Sequence, residues 1–281
     1  MDQAITEGNF KGQCKALHFL AEYSLIEKDS LLAQEYLRKA KLIADSHFPK
    51  KHFIHLERIL HEAELYQLQG KLNLALKSIE RALKVAKTIT HKNKDALIAS
   101  FLALRGEIFI DLEEKENGIK EITRGLELLK SIFGTKSVLI VPYLTKRGII
   151  FYFLKRLKEA KLDIEMTIQI LENSPFPDKK TLQWCYSTLG DILYNFDHIL
   201  AAKEAIMKAI DLLSQSEDIL TIERKMLAYN YYLLAHCLME LDHSEEAVIY
   251  AKRAVEYSEM GESGFEIYKQ FAQDLEDEIS N

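Results

Sequence analysis

The stretch LRGEIFIDLEEKENGIKEITRGLELL, Leu104–Leu129, is helical in composition and free of proline, yet it contains Gly106, Gly118 and Gly125. Each glycine inside a helix costs roughly 1 kcal/mol relative to alanine, so three of them require a reason. The reason lies in their spacing. Gly118 follows Gly106 by 12 residues, Gly125 follows Gly118 by 7, and Ile122 sits four after Gly118.

The same offsets recur along the chain. Upstream they give Ala21, Ala33, Leu37, Ala40, and then Ala63, Ala75, Ile79, Ala82. Downstream they give Gly148, Ala160, Ile164, Thr167, then Gly190, Ala202, Ile206, Ala209, and finally Ala235, Ala247, Ala251, Ala254. A tandem repeat of this length cannot bury an apolar face alone and must stack on its neighbours. The spacing predicts a helical hairpin in each copy. The first small residue lies on the first helix and the second near the start of the second, where the two axes approach closely. The third lets the second helix meet the next hairpin.

This pattern resembles the tetratricopeptide repeat. The segment HEAELYQLQGKLNLALKSIERAL, residues 61–83, is especially similar, with Ala63, Tyr66, Gly70, Ala75 and Ala82 in the family's places. The resemblance covers roughly residues 14 to 260 and implies a right-handed α-solenoid of about six hairpins. Their expected spans are 10–46, 52–90, 94–132, 137–173, 179–215 and 222–258, in a single domain over 1–281. Successive first anchors lie 42 to 45 residues apart, against about 34 in the usual family member. The extra residues lengthen each hairpin by roughly 12 Å of helix. Units this long are similar to those of kinesin light chains and of bacterial helical-repeat regulators and scaffolds. The join IFGTKSVLIVPYL, residues 132–144, is similar to the light-chain inter-repeat segment.

Composition agrees with an all-α chain. Four prolines and 11 glycines in 281 residues disfavour turn-rich β folds and long linkers. A net charge of −6 argues against a general nucleic-acid binder. Cys14, Cys185 and Cys237 are scattered, as expected for free thiols in a reducing compartment. No secretory leader or membrane span is expected, and the expected location is the cytoplasm. The first repeat begins by about residue 14, leaving no expected room for an N-terminal effector module. The tail has Ser263 three before Glu266, a capping-box pattern. Phe265, Tyr268, Phe271, Ala272, Leu275 and Ile279 follow as one apolar stripe, predicting a capping helix over 263–280 or a docking helix for another protein. The segment NSPFPDKK, residues 173–180, holds half the prolines and is the expected flexible joint.

Signs of chemistry are few. There is no glycine-rich phosphate loop and no metalloprotease His pair. His52, His55 and His61 could approach a metal or simply be packed or solvated. His236 and Cys237 are adjacent, and adjacent helix residues do not face each other. The chain is therefore expected not to be an enzyme and to carry no metal or cofactor.

The resemblance further implies that the first helices line a concave groove that receives a peptide or helix. Its groove positions fall six and three before the first small residue, and one, four and five after it. One after it stand Glu22, Glu64, Glu107, Ile149, Asp191 and His236. Four acids in six equivalent places are either a negative ladder or the ordinary acidity of exposed helix residues. Other groove positions give Lys15, His18, Glu57 and Gln67 early in the chain. Later ones give Tyr152, Phe153, Trp184, Tyr194, Tyr229 and Tyr232. Core packing would account for any one of these aromatics, whereas the set predicts a partly exposed aromatic floor. The family's carboxylate clamp needs asparagine where this chain has acids or apolar residues, so a basic or amphipathic ligand is expected. The expected function is a protein-binding adaptor; a peptide- or effector-sensing regulator and a client-specific assembly factor are the alternatives. Partner identity and oligomeric state are left open by the sequence.

Overall fold

The computed structural model describes residues 9–214, 221–258 and 263–280. Among these the chain is all-α, with thirteen α-helices, one short 3-10 helix and no strand. It divides into two compact units, Met1–Tyr143 and Leu144–Asn281. The first unit holds three hairpins: α1 (Phe10–Ile26) with α2 (Ser30–His47), α3 (Phe53–Leu68) with α4 (Leu72–Ala86), and α5 (Lys94–Asp111) with α6 (Lys115–Phe133). The unit boundary falls inside α7 (Val141–Phe153), not at the proline segment. The second unit pairs α7 with α8 (Leu157–Glu172), α9 (Lys179–Asn195) with α10 (Ile199–Ser214), and α11 (Thr221–Glu240) with α12 (Ser244–Tyr257), and ends in α13 (Ser263–Ser280). The residues 173–178 connect α8 to α9, and the Asp178 side chain caps α9 by accepting from the Lys180 and Thr181 N–H groups.

All six hairpins turn the same way. Three residues join the helices each time: 27–29, 69–71, 112–114, 154–156, 196–198 and 241–243. The middle one always has positive φ, at Lys28, Gly70, Glu113, Lys155, Asp197 and Asp242. The next residue's N–H then reaches back to a carbonyl five residues earlier, as from Asp29 to Ser24 and from His243 to Leu238. This is the left-handed helix stop in which glycine is usual. Only Gly70 follows that usage, so five hairpins hold a side chain in an unfavourable backbone region. Lys28→Gly is expected to raise the unfolding free energy by about 0.5–1 kcal/mol, and Gly70→Ala to lower it by about 1 kcal/mol. Urea denaturation of the two variants checks both signs.

The repeat's small residues form the seams. Ala21, Ala33 and Ala40 are fully buried, as are Ala63, Ala75 and Ala82, and Ala235, Ala247, Ala251 and Ala254. Ile79, Ile122, Ile164 and Ile206, at the equivalent large position, are fully buried beside them. In the α5–α6 hairpin two glycines face each other's backbone. A Cβ built on Gly106 would stand 2.7 Å from the Gly118 carbonyl oxygen, and one built on Gly118 would stand 2.6 Å from that of Gly106. Hairpins with alanine at both places accommodate both methyl groups, so this pair of backbones lies closer than alanine permits.

Two hairpins add a buried ion pair at matching positions. Arg105, just before Gly106, reaches Glu121 on α6. Arg147, just before Gly148, holds Asp163 on α8 through two hydrogen bonds of 2.7 and 2.8 Å. Both carboxylates are buried. The chain-terminal elements differ in cover. On α1, Phe19, Tyr23 and Ile26 are 68%, 58% and 71% exposed. On α13, Ala272 and Leu275 are buried, and Tyr268 packs on the core formed by Leu213, Leu227, Tyr231 and Ala254. The side chains of Ser263, from the capping box, and Ile279, from the apolar stripe, lie outside the described residues.

Candidate functional site

The two units present different chemistry on their first helices. In Met1–Tyr143 the faces of α1, α3 and α5 are charged. Glu22 is exposed, while Glu64 and Glu107 are half-buried. Glu64 accepts from His61 at 2.9 Å, and Gln67 donates to Asp111 at 2.7 Å. The ring of His18 lies 5.8 Å from that of His61. His18 was expected in the groove; it is instead buried, with no hydrogen-bond partner for its Nε2. It stands three residues before Ala21 on the side of α1 that packs inward.

Burial, with the neighbouring His61 and Arg58, pushes the His18 imidazole down to about 3. His61 is raised: burial lowers it, but the Glu64 hydrogen bond and the charges of Glu64, Glu22 and Glu57 outweigh that. The signs are opposite. An unfolded histidine gains its proton near pH 6.5, whereas folded His18 stays neutral down to about 3. His18 therefore destabilises the fold progressively as pH falls below about 6.5. His61 contributes stability that is complete below about 6.5 and is lost as pH rises through its higher folded value. From pH 6.5 to about pH 5 the His18 contribution is about 2 kcal/mol. His18→Gln is expected to remove that loss, read as a flatter pH dependence of the unfolding midpoint.

The histidines considered for a metal diverge. His52 caps α3, its Nδ1 accepting from the Ile54 N–H at 3.2 Å. His55 is buried beside the Phe48 carbonyl, and His61 faces Glu64. Among the described residues no three His, Cys, Asp or Glu side chains are grouped to hold a metal ion. Cys14, Cys185 and Cys237 are free and buried, and burial pushes the Cys185 and Cys237 thiols up to about 12.

In Leu144–Asn281 the first helices carry the aromatics. Tyr152 on α7 donates its hydroxyl to Asp191 on α9, and the Tyr229 phenol on α11 interacts with the same pair. Burial raises both tyrosines, and the Asp191 carboxylate raises them further. Three predicted groove residues from three successive first helices are thus brought together. Asp191 differs from the exposed Glu22 in this: its carboxylate accepts from the Tyr152 phenol and links α7 to α9. Tyr232 and His236, both half-buried, have ring neighbours on the last helix. The ring of Phe271 on α13 stacks on His236 at 4.2 Å and meets Tyr232 edge-on at 5.1 Å, with Tyr268 also 5.1 Å from Tyr232. The last helix therefore covers the end of the aromatic face. Phe153 is 74% exposed, with Trp184 and Tyr194 half-buried. Sequence reasoning missed Phe271 and Tyr268 as members of this face, although both stand in the stripe assigned to the capping helix.

A family model of the tetratricopeptide repeat matches residues 228–259, the α11–α12 hairpin. No curated protein matches the chain in sequence. Solved structures match through the fold. BtubC (BKLC) from P. vanneervenii superposes with a TM-score of 0.63 at 13% identity, over 87% of this chain and 90% of that one. PilF of Pseudomonas aeruginosa gives 0.61 at 14% identity, over 93% and 99%. The apo form of the quorum sensor NprR from B. thuringiensis gives 0.61 at 17% identity, over 92% and 68%. The chain is a tetratricopeptide-like helical-repeat protein. Its fold class is the all-α helical solenoid. Among the described residues, no helix of this tetratricopeptide-like protein is long and apolar enough to cross a membrane.

Proposed function

We propose that this protein is a non-enzymatic adaptor that binds a peptide or amphipathic helix on the first-helix faces of Leu144–Asn281. The observation that carries this reading is the contrast within single helices. The repeat's small anchors are fully buried, while Phe153, Trp184 and Tyr194, a few residues away, keep exposed ring surface. Exposed aromatics on a rigid helical frame make effective anchors, because they bury large area at small entropic cost. The tie between Tyr152, Asp191 and Tyr229 supports the same role by fixing the helices that carry them. Met1–Tyr143 is a separate case: Glu22, Glu64 and Glu107 keep exposed or half-exposed side chains on its first-helix faces, which supports a preference of that unit for basic groups.

Affinity capture from native lysate with the wild-type chain and with Phe153→Ala/Trp184→Ala tests the proposal. Anchor residues of this kind contribute about 2 kcal/mol or more each, so the double variant is expected to lose its specific partner. A partner retained by that variant sinks the assignment of the face. Glu64→Lys/Glu107→Lys tests the acidic preference separately, with unchanged affinity removing it.

A further inference from the structure

A cleft of about 460 Å3 lies between α4 and the α5–α6 hairpin, within Met1–Tyr143. None of its lining residues occupies a groove position of the first helices. Leu83, Ile98 and Leu102 supply an apolar floor. Lys84 from α4 and Lys87, the residue that caps its end, stand on the wall with Arg105 from α5 and Arg124 from α6. Glu80 is the one acid lining it.

The two arginines are fixed from behind. Glu121, 8% exposed, takes Arg105 on one oxygen and Arg124 on the other, the latter at 2.8 Å. One carboxylate between two guanidinium groups leaves a positive charge over. With Lys84 and Lys87 added and Glu80 subtracted, the cleft carries a net charge of about +2. Preformed pockets for small ligands typically measure about 300–1,000 Å3 and combine an apolar lining with a few placed polar groups. Two held guanidinium groups suit a carboxylate, phosphate or sulfonate, because their donors are planar and already oriented.

We infer that this cleft is a second ligand site, independent of the first-helix face, for a small anionic amphiphile. The ligand class carries one carboxylate, phosphate or sulfonate group on an apolar body. The body rests on Leu83, Ile98 and Leu102, and the anionic group faces Lys84, Lys87, Arg105 and Arg124. Such a ligand touches two successive hairpins, so its binding stabilises their packing.

Anilinonaphthalene sulfonate is the probe, titrated by fluorescence into the full chain. The expected result is saturable binding whose dissociation constant rises about tenfold in Lys84→Glu/Lys87→Glu. The milder Lys84→Gln/Lys87→Gln should weaken binding by a smaller factor, and Trp184→Ala should leave it unchanged. Phenylnaphthylamine, the same aromatic body without the sulfonate, should bind about tenfold more weakly. Lys84 and Lys87 are both exposed, and an unchanged circular dichroism melt confirms that each variant is folded. Equal binding by wild type and the charge-reversed variant overturns the inference. So does equal binding of the neutral probe, or loss of the sulfonate probe in Trp184→Ala alone, which would place it on the first-helix face.

Discussion

Gly118→Ala is expected to lower the unfolding free energy by about 3 kcal/mol, at the upper end of what overpacking usually costs. On propensity alone the change should stabilise, because alanine is favoured over glycine inside a helix by roughly 1 kcal/mol. Packing reverses the sign. The new Cβ would meet the Gly106 carbonyl oxygen at 2.6 Å and the Ile110 side chain at 2.6 Å. Ile110 can rotate away, but a helix carbonyl cannot, so α5 and α6 must separate. Ile122, fully buried between them, would then lose contact. Gly148→Ala is the internal control. Its built Cβ meets the Asp163 Cβ at 3.3 Å and no backbone atom nearer than 3.8 Å, so its effect should stay within about 1 kcal/mol. Denaturant unfolding of both variants measures the difference, and a stabilised Gly118→Ala would show that the two backbones can part at no cost.

Asp163→Ala is expected to cost about 3–5 kcal/mol. The carboxylate is buried on α8 and takes two hydrogen bonds from Arg147 on α7. Removing it leaves the guanidinium largely out of water beside Phe151, over which it already lies at 5.7 Å. The loss reflects a largely buried guanidinium stripped of its two-bonded carboxylate more than the worth of the pair. Removing both charges should therefore be far milder: Arg147→Met/Asp163→Leu is expected to recover most of the stability. Should the single variant lose less than about 1 kcal/mol, or the double variant lose as much as the single, the pair is not acting as a desolvated unit.

The architecture was legible because it depends on short, local rules. A small residue at a fixed offset is needed wherever two helix axes approach, and glycine appears where alanine is too large, as at Gly106 and Gly118. The hairpin stop was only half legible. Gly70 marks it in one copy, but Lys28, Glu113, Lys155, Asp197 and Asp242 adopt the same backbone conformation without a glycine to announce it. The face was less legible still, because exposure depends on partners far apart in sequence. Asp191 resembles any exposed acid until Tyr152 and Tyr229, 39 and 38 residues away, are placed on its carboxylate. Tyr232 and His236 have groove spacing, yet Phe271 and Tyr268 fold back over them. His18 shares that spacing and turns inward.

A partner docked on the aromatic first-helix face of Leu144–Asn281 would change the surroundings of Trp184, the one tryptophan in the chain. The most direct measurement is the emission of Trp184 as the captured partner's binding segment, free of tryptophan, is titrated into the full chain. The expected result is a saturable change in intensity and wavelength that follows binding measured by calorimetry and disappears in Phe153→Ala/Tyr194→Ala. Calorimetric binding of the same segment with no change at Trp184 would contradict it.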